Sequence, residues 1–115
     1  MSAQNIALLT LTLALTGTVS ANRFVTPAGA QAGAAANTIG AVRLAGVSGD
    51  KVPVDVLGTA TVESGAAISA GASLKSDASG RAITWATSGA KVGIALEAAT
   101  ASGQLIEVLL IPNVA

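Results

Sequence analysis

The chain has 115 residues, its six basic and six acidic side chains cancel, and it contains neither histidine nor cysteine. The missing residues remove the commonest general base, the commonest thiol nucleophile, nearly all zinc sites and every disulfide. Lysine and arginine are few and dispersed, so binding to a phosphate backbone has almost no electrostatic driving force. We therefore expect neither nucleic acid as a partner nor any enzymatic activity.

The apolar half of the composition is dominated by Ala, Val, Leu and Ile, with one Trp, one Phe and no Tyr. Burying a large apolar side chain contributes about 1.5 to 3 kcal/mol, and an alanine contributes far less. A single domain of this length and composition should therefore be only marginally stable as a monomer. We therefore expect association with further copies of the chain to add to its stability.

Residues 6–19 form the first periodic segment, in which leucines alternate with threonine or alanine. This alternation is typical of a β-strand or an extended arm. A secretory signal peptide is the other interpretation, because the run is apolar and ends in Val19-Ser20-Ala21, a small-residue cleavage pattern. No Lys or Arg precedes the run and threonine interrupts it, so the strand interpretation fits better. The segment is too short and too rich in threonine to span a bilayer, and we expect no membrane contact.

A strand with this sequence is prone to pair with another strand edge. It carries no charge and no proline, so it must be paired in its own sheet or with a neighbouring subunit. We treat residues 1–22 as an N-terminal arm or strand and residues 23–115 as a single β domain. The arm contributes five predicted interface residues: Ile6, Leu9, Leu11, Leu13 and Leu15.

The middle of the chain alternates short apolar runs with glycine-bearing turns. A short strand is predicted over residues 23–26, and the low-complexity residues 28–37 are predicted to form a loop. Further strands are predicted over residues 38–44, 52–63, 72–76 and 81–87, with a hairpin turn at residues 77–80. Trp85 is the largest side chain available, and we predict that it anchors the core with its indole N–H bonded nearby.

Residues 91–111 predict a second hairpin. In the first run, one face of a period-2 repeat collects the larger apolar residues, namely Val92, Ile94, Leu96 and Ala98, which predicts a strand with one buried face. The second run, residues 105–111, is apolar on both faces except at Glu107. Strands at such short spacing without a convincing helix predict an all-β fold, a small barrel-like or sandwich-like domain with an extended N-terminal strand or arm.

The apolarity of residues 105–111 on both faces indicates two contacts. One face is expected to pack inward, through either Leu105 and Leu109 or Ile106 and Leu110, and the other to meet a neighbouring element or subunit. Glu107 then needs a partner, an arginine or lysine, across that contact. Glu107 and Ile111 complete the predicted interface residues.

The remaining candidates for chemistry are carboxylates, and they are separated along the sequence. Most of them fall in predicted turns or on strand faces, where a solvated charge or an ion pair is the usual state. No phosphate-binding loop, dinucleotide fingerprint or nucleophile elbow occurs. We therefore assign no catalytic, cofactor-binding or metal-binding residue.

Four segments, in order, resemble the small capsid decoration, or cement, proteins of tailed bacteriophages. They are AAISAGASL at 66–74, SDASGRA at 76–82, VGIALEAA at 92–99 and GQLIEVLL at 103–110. The resemblance runs from about residue 38 onward, and the first 37 residues carry little of it. Members of that family lack catalytic residues, so no site transfers.

The resemblance implies a β-barrel-like protein that binds the outside of a phage head, commonly as trimers at threefold positions. Its implied partners are the major capsid protein, whose lattice it reinforces against internal DNA pressure, and further copies of itself. Its implied location is the capsid exterior of the virion, after assembly in the host cytoplasm. A secreted or surface-displayed bacterial β protein and a phage tail or baseplate component remain as alternatives.

Overall fold

The computed structural model describes residues 6–111, which contain eight strands in one sheet and no helix. The strands are β1 (Ile6–Ala14), β2 (Phe24–Val25), β3 (Gly40–Val42), β4 (Lys51–Glu63), β5 (Ser73–Ser76), β6 (Ala82–Thr84), β7 (Gly93–Ala95) and β8 (Leu105–Leu110). The all-β prediction is confirmed, and each strand lies within or next to a predicted one.

The strand order in the sheet is β2-β3-β4-β8-β7-β5-β6, with β1 added to β4, and neighbouring strands run antiparallel. The sheet then curls back on itself. Gly65 donates its N–H to the carbonyl of Ala82 at 2.8 Å, and Phe24 donates to the carbonyl of Gly80 at 2.8 Å. These bonds join the end of β4 and the start of β2 to the β6 side, so the sheet forms a nearly closed barrel.

Two apolar clusters lie on opposite faces of the β2–β3 region. Phe24 and Ala41 belong to the larger cluster inside the barrel, whereas their chain neighbours Val25 and Val42 belong to the smaller one. Successive side chains of a strand point to opposite faces, so the smaller cluster packs outside the barrel wall. Besides Val25 and Val42, its buried members are Leu15, Val19, Val52 and Val54.

Strand β1 pairs with β4 of the same chain, so the N-terminal arm belongs to the chain's own sheet. The pairing is regular from Thr10, opposite Asp55, to Ala14, opposite Lys51. Nearer the N-terminus the register shifts twice, leaving Leu8 without a partner on β4. This bulge divides β1 into an irregular first half and a regular second half.

The predicted hairpin over residues 91–111 is confirmed as β7 and β8. Val92, just before β7, is buried in the barrel as predicted, but β7 is shorter than predicted and within it the faces are reversed. Ala95 is buried, whereas Ile94 is only partly buried on the outer face, opposite Leu109. Position 93 has no room for a side chain, because a Cβ added at Gly93 would lie 2.6 Å from Val108 and 2.7 Å from the carbonyl oxygen of Leu109 on the neighbouring strand β8. On β8 the inward pair is Ile106 and Leu110, the second of the two predicted possibilities.

Trp85 is not in the core, contrary to the prediction. It lies half-buried in the loop after β6 and belongs to neither apolar cluster. Its indole N–H does have a nearby partner, the carbonyl of Gly89 at 3.0 Å, and the ammonium of Lys91 lies 4.4 Å from the ring centroid. Phe24, which is 0% exposed, is the largest fully buried side chain.

Candidate interaction surface

Five of the nine large apolar side chains that are exposed among residues 6–111 lie on β1 and on the part of β4 that pairs with it, residues 51–59, which together we call the β1–β4 ribbon. Large apolar side chains exposed on this ribbon are Ile6 (55%), Leu8 (80%), Leu9 (44%), Leu11 (41%) and Leu57 (38%). Leu9 and Leu57 are direct partners across the ribbon and therefore share one face. Such grouping of exposed leucines on one element is a feature of interaction surfaces.

The outer edge of β1 has no strand partner, but its end is covered, because Gly29 lies against the carbonyl oxygen of Ala14 and accepts a hydrogen bond from Thr16 at 3.0 Å. Within residues 6–111, β1 pairs with β4 and with no other strand. Soluble proteins usually protect such an edge with charged residues, proline or a bulge, and β1 has only the bulge at Leu8. The ribbon therefore presents both exposed leucines and unpaired backbone groups.

An ion pair whose carboxylate is buried and whose guanidinium is partly exposed holds β1 in register on β4. Asp55 is 0% exposed and accepts hydrogen bonds from Arg43 Nε at 2.8 Å and from the Thr10 hydroxyl at 3.0 Å. A terminal guanidinium nitrogen of Arg43 lies 2.7 Å from the second carboxylate oxygen. The hydrogen bond to Asp55 raises the pKa of Arg43 above its usual value. Through Asp55, β3 and β4 therefore position Thr10 of β1.

A second group of charges closes the barrel seam. Glu63, at the end of β4, pairs with Arg23 at 3.2 Å and with Arg81 at 3.8 Å. Arg81 also pairs with Asp77 at 3.1 Å, and Arg23 donates to the carbonyl of Ser79 at 2.8 Å. These side chains join the β2, β4 and β5–β6 segments, so their ion pairs stabilise the fold.

The structure sorts the predicted interface residues of the arm into two groups. Ile6, Leu9 and Leu11 are exposed, and their contact with another protein stays a prediction. Leu13 is half-buried against the smaller cluster, and Leu15 is 2% exposed inside it. Leu15 is thus part of the chain's own core and presents no surface to a partner.

The predicted interface residues of the C-terminal strand are not on the ribbon. Glu107 is 5% exposed, its backbone N–H donates to the carboxylate of Glu97 at 2.7 Å, and residues 6–111 supply it with no ion pair to Arg or Lys. Ile111 is half-buried just after β8. The expected Arg or Lys partner of Glu107 is therefore not found in the described part of the chain.

Leu8 and Leu57 were missed by the sequence analysis. Leu8 breaks the leucine–threonine alternation, because Leu8 and Leu9 are adjacent, and that break marks the bulge. Leu57 lies next to Gly58, whose φ of 97° is the left-handed conformation that favours glycine. A glycine inside a strand pattern is a signal for such an irregularity.

The described residues offer little to other kinds of site. Residues 6–111 contain no group of three or more His, Cys, Asp or Glu side chains that could hold a metal ion. No helix long and apolar enough to cross a membrane occurs among them.

Comparison with known proteins places the chain in a family. The family model described as phage cement protein matches residues 3–110, so the match also includes the N-terminal residues in which the sequence showed little resemblance. No curated protein matches. Among solved structures, the fold is similar to the N-terminal base of the head fibre protein gp8.5 of bacteriophage phi29, with a TM-score of 0.72 and 21% identity over 90% of this chain and 93% of that one. The chain belongs to the phage cement protein family and is a structural protein associated with a phage capsid.

Proposed function

We propose that this protein binds the outer surface of a phage capsid and stabilises the lattice of its major capsid protein. The observation that carries the proposal is the β1–β4 ribbon. Its strand β1 has no charged residue, and several leucines of the ribbon are exposed. Such a surface gains free energy when another protein covers it. The fold shared with a head fibre base supports the head, rather than the tail, as the place of binding.

We propose further that the protein acts as a trimer. Seven of the fifteen buried residues of the barrel interior are alanine and only one is aromatic, so apolar burial within one chain is modest. Burial between chains adds to it. Three linked copies also bind a capsid far more tightly than one, because each bound copy raises the effective concentration of the others.

Leu8 provides the test of the proposed capsid contact. Its side chain is 80% exposed and lies at the unpaired bulge position, so Leu8→Lys should leave the fold intact. Burying one leucine contributes about 1.5 to 3 kcal/mol, so we expect the variant to bind undecorated heads at least about tenfold more weakly. The matched control is Leu105→Lys on β8, where the leucine is 50% exposed but lies outside the ribbon.

The measurement is the number of copies bound per head, by co-sedimentation and electron microscopy, over a range of protein concentrations. Heads carrying the wild-type protein should also release DNA at a higher temperature than undecorated heads. Equal occupancy by Leu8→Lys and wild type, or binding to tails alone, would contradict the proposal.

A further inference from the structure

The chain repeats one arrangement of four antiparallel strands. In its first occurrence β1 pairs with the first part of β4, which pairs with β3, and β3 pairs with β2. In its second occurrence the last part of β4 takes the place of β1 and pairs with β8, which pairs with β7, and β7 pairs with β5. We call residues 6–57 the first repeat and residues 59–110 the second repeat. Strand β4 therefore contributes to both.

The register of the strands agrees between the two repeats. Opposed pairs that match, first repeat and then second, are Leu11–Val54 and Ala60–Val108, Leu13–Val52 and Val62–Ile106, Phe24–Ala41 and Ser73–Ile94, and Ala41–Asp55 and Ile94–Leu109. The sequence retains a trace of the relation, because residues 10–13 read Thr-Leu-Thr-Leu and residues 59–62 read Thr-Ala-Thr-Val. Each strand residue of the first repeat thus has an equivalent in the second.

The backbone outside the strands matches as well. Ile39 donates its N–H to β2 at 2.9 Å, and its equivalent Val92 donates to β5 at 2.8 Å. Asn22 and its equivalent Gly71 both have a left-handed backbone, with φ of 60° and 86°. They donate to β3 and β7 at 3.0 and 2.7 Å. A left-handed conformation is uncommon for a residue other than glycine, so its recurrence supports the equivalence.

The two repeats differ in how well four equivalent apolar positions are covered. All four are buried in the second repeat and none is buried in the first, where Leu11 is 41% exposed and its equivalent Ala60 is 1% exposed. The positions, first repeat and then second, are Leu11 and Ala60, Leu13 and Val62, Ile39 and Val92, and Val56 and Leu110. In the second repeat they share a cluster with Phe24, Ala32 and Ala41, which belong to the first repeat. We call the four positions of the first repeat the rim.

The inner face of β2 and β3, with Phe24 and Ala41, therefore covers the second repeat. The equivalent face of the second repeat points away from the barrel, and we call it the outer face. Its residues are Ser73, Ile94 and Leu109. None of them is charged or buried. Within residues 6–111, each chain thus has a rim without the cover that its equivalent has, and a covering face that covers nothing.

We propose that copies of this protein join head to tail, with the outer face of one copy covering the rim of the next. The contact between copies then repeats the packing between the two repeats of one chain. A structural repeat cannot bury its apolar face alone, and stacking it on a further repeat completes the burial. A second copy offers the equivalent repeat, with an uncharged face, for this position.

This contact deepens the proposed function, on which its role on the head rests, by assigning the surfaces through which copies meet. A head-to-tail contact uses two different surfaces of each copy, and it forms a closed ring when the rotation between copies closes. Three copies in such a ring are the proposed trimer. Leu8, the proposed capsid contact, belongs to neither surface. The two contacts can therefore be tested separately.

Cysteine cross-linking tests the contact, because the chain has no cysteine of its own. Leu11→Cys places a thiol on the rim and Leu109→Cys places one on the outer face, and both positions are exposed. With a short bismaleimide, a mixture of the two should form covalent dimers at least about tenfold faster than Leu11→Cys mixed with Ser88→Cys, an exposed loop variant, because docking raises the effective concentration. No excess over this control, either in solution or on decorated heads, would overturn the proposal.

Sedimentation velocity gives the complementary measurement. Leu11→Lys damages the rim and Leu109→Lys damages the outer face, so each alone should need at least about tenfold more protein to self-associate. A mixture of the two variants should form dimers, because the intact outer face of one meets the intact rim of the other, and this recovery requires both to be folded. Leu105→Lys, on the same strand as Leu109, should associate like wild type.

A mixture that sediments no faster than the separate variants would contradict the head-to-tail contact. If Leu109→Cys links only to the capsid protein on heads, a capsid segment covers the outer face and the proposal is wrong. Head occupancy of Leu8→Lys is a separate readout, so either proposal can fail alone.

Discussion

The Arg43–Asp55 pair predicts that removing the arginine destabilises the protein more than removing the aspartate. Arg43→Ala leaves the buried carboxylate of Asp55 with the single hydrogen bond from Thr10. Breaking a buried pair in this way costs about 3 to 5 kcal/mol. The Arg43 side chain is 41% exposed, so water can approach from its side, and we expect a value near the lower limit, about 3 kcal/mol.

Asp55→Ala should cost less, about 1 to 2 kcal/mol, because both groups that it leaves behind can be hydrated. The guanidinium of Arg43 is partly exposed already, and Thr10 is exposed. Once Asp55 is absent, removing Arg43 should cost little more. The double variant should therefore show an interaction energy of at least about 2 kcal/mol.

Urea unfolding at equilibrium, followed by the fluorescence of the single tryptophan, measures all three variants. Thr10→Val is the control for β1, and it should lose only about 1 kcal/mol, the usual contribution of one hydrogen bond. The reasoning is refuted if Asp55→Ala destabilises the protein as much as Arg43→Ala, or if the two effects simply add.

Two further predictions concern the packing of single residues. A Cβ at Gly40 would lie 2.0 Å from the carbonyl oxygen of Asp55, so Gly40→Ala should destabilise the protein by at least about 2 kcal/mol. The control Gly33→Ala should not destabilise it, because a Cβ there meets no atom within 4 Å. Equal midpoints of the two variants in thermal unfolding would contradict this prediction. Phe24→Ala should lower the free energy of unfolding by about 3 to 5 kcal/mol and Trp85→Ala by about 1 to 2 kcal/mol. Calorimetry measures both, and a larger loss for Trp85→Ala would contradict the assignment of Phe24 as the main core residue.

The sequence was sufficient for the local parts of the fold. Strand positions follow from apolar alternation interrupted by glycine turns, and the hairpin of β7 and β8 follows from two such runs on either side of a short turn. The choice between the two faces of β8 needed the structure. Both faces are apolar, and the partner strands β4 and β7 decide that Ile106, rather than Leu105, points inward.

Long-range placement was beyond the sequence. The alternation in residues 6–19 predicts a strand, but nothing local shows that it pairs with β4 or that Leu15 packs in a second cluster outside the barrel. Trp85 was expected in the core because of its size, yet the interior is filled by Phe24 and by many small residues. Neighbours distant in the sequence determine such burial.

The position of β8 in the sheet has a consequence for biosynthesis. β8 comes last among the eight strands, yet in the sheet order it lies between β4 and β7 and joins the N-terminal strands to the β5–β7 group. Apart from β8, backbone hydrogen bonds join these two groups from Gly65 to Ala82, from Phe24 to Gly80 and from Ala35 to Ser76. The barrel can therefore be completed only after β8 has been synthesised, so final folding of the earlier strands waits for residues 105–110.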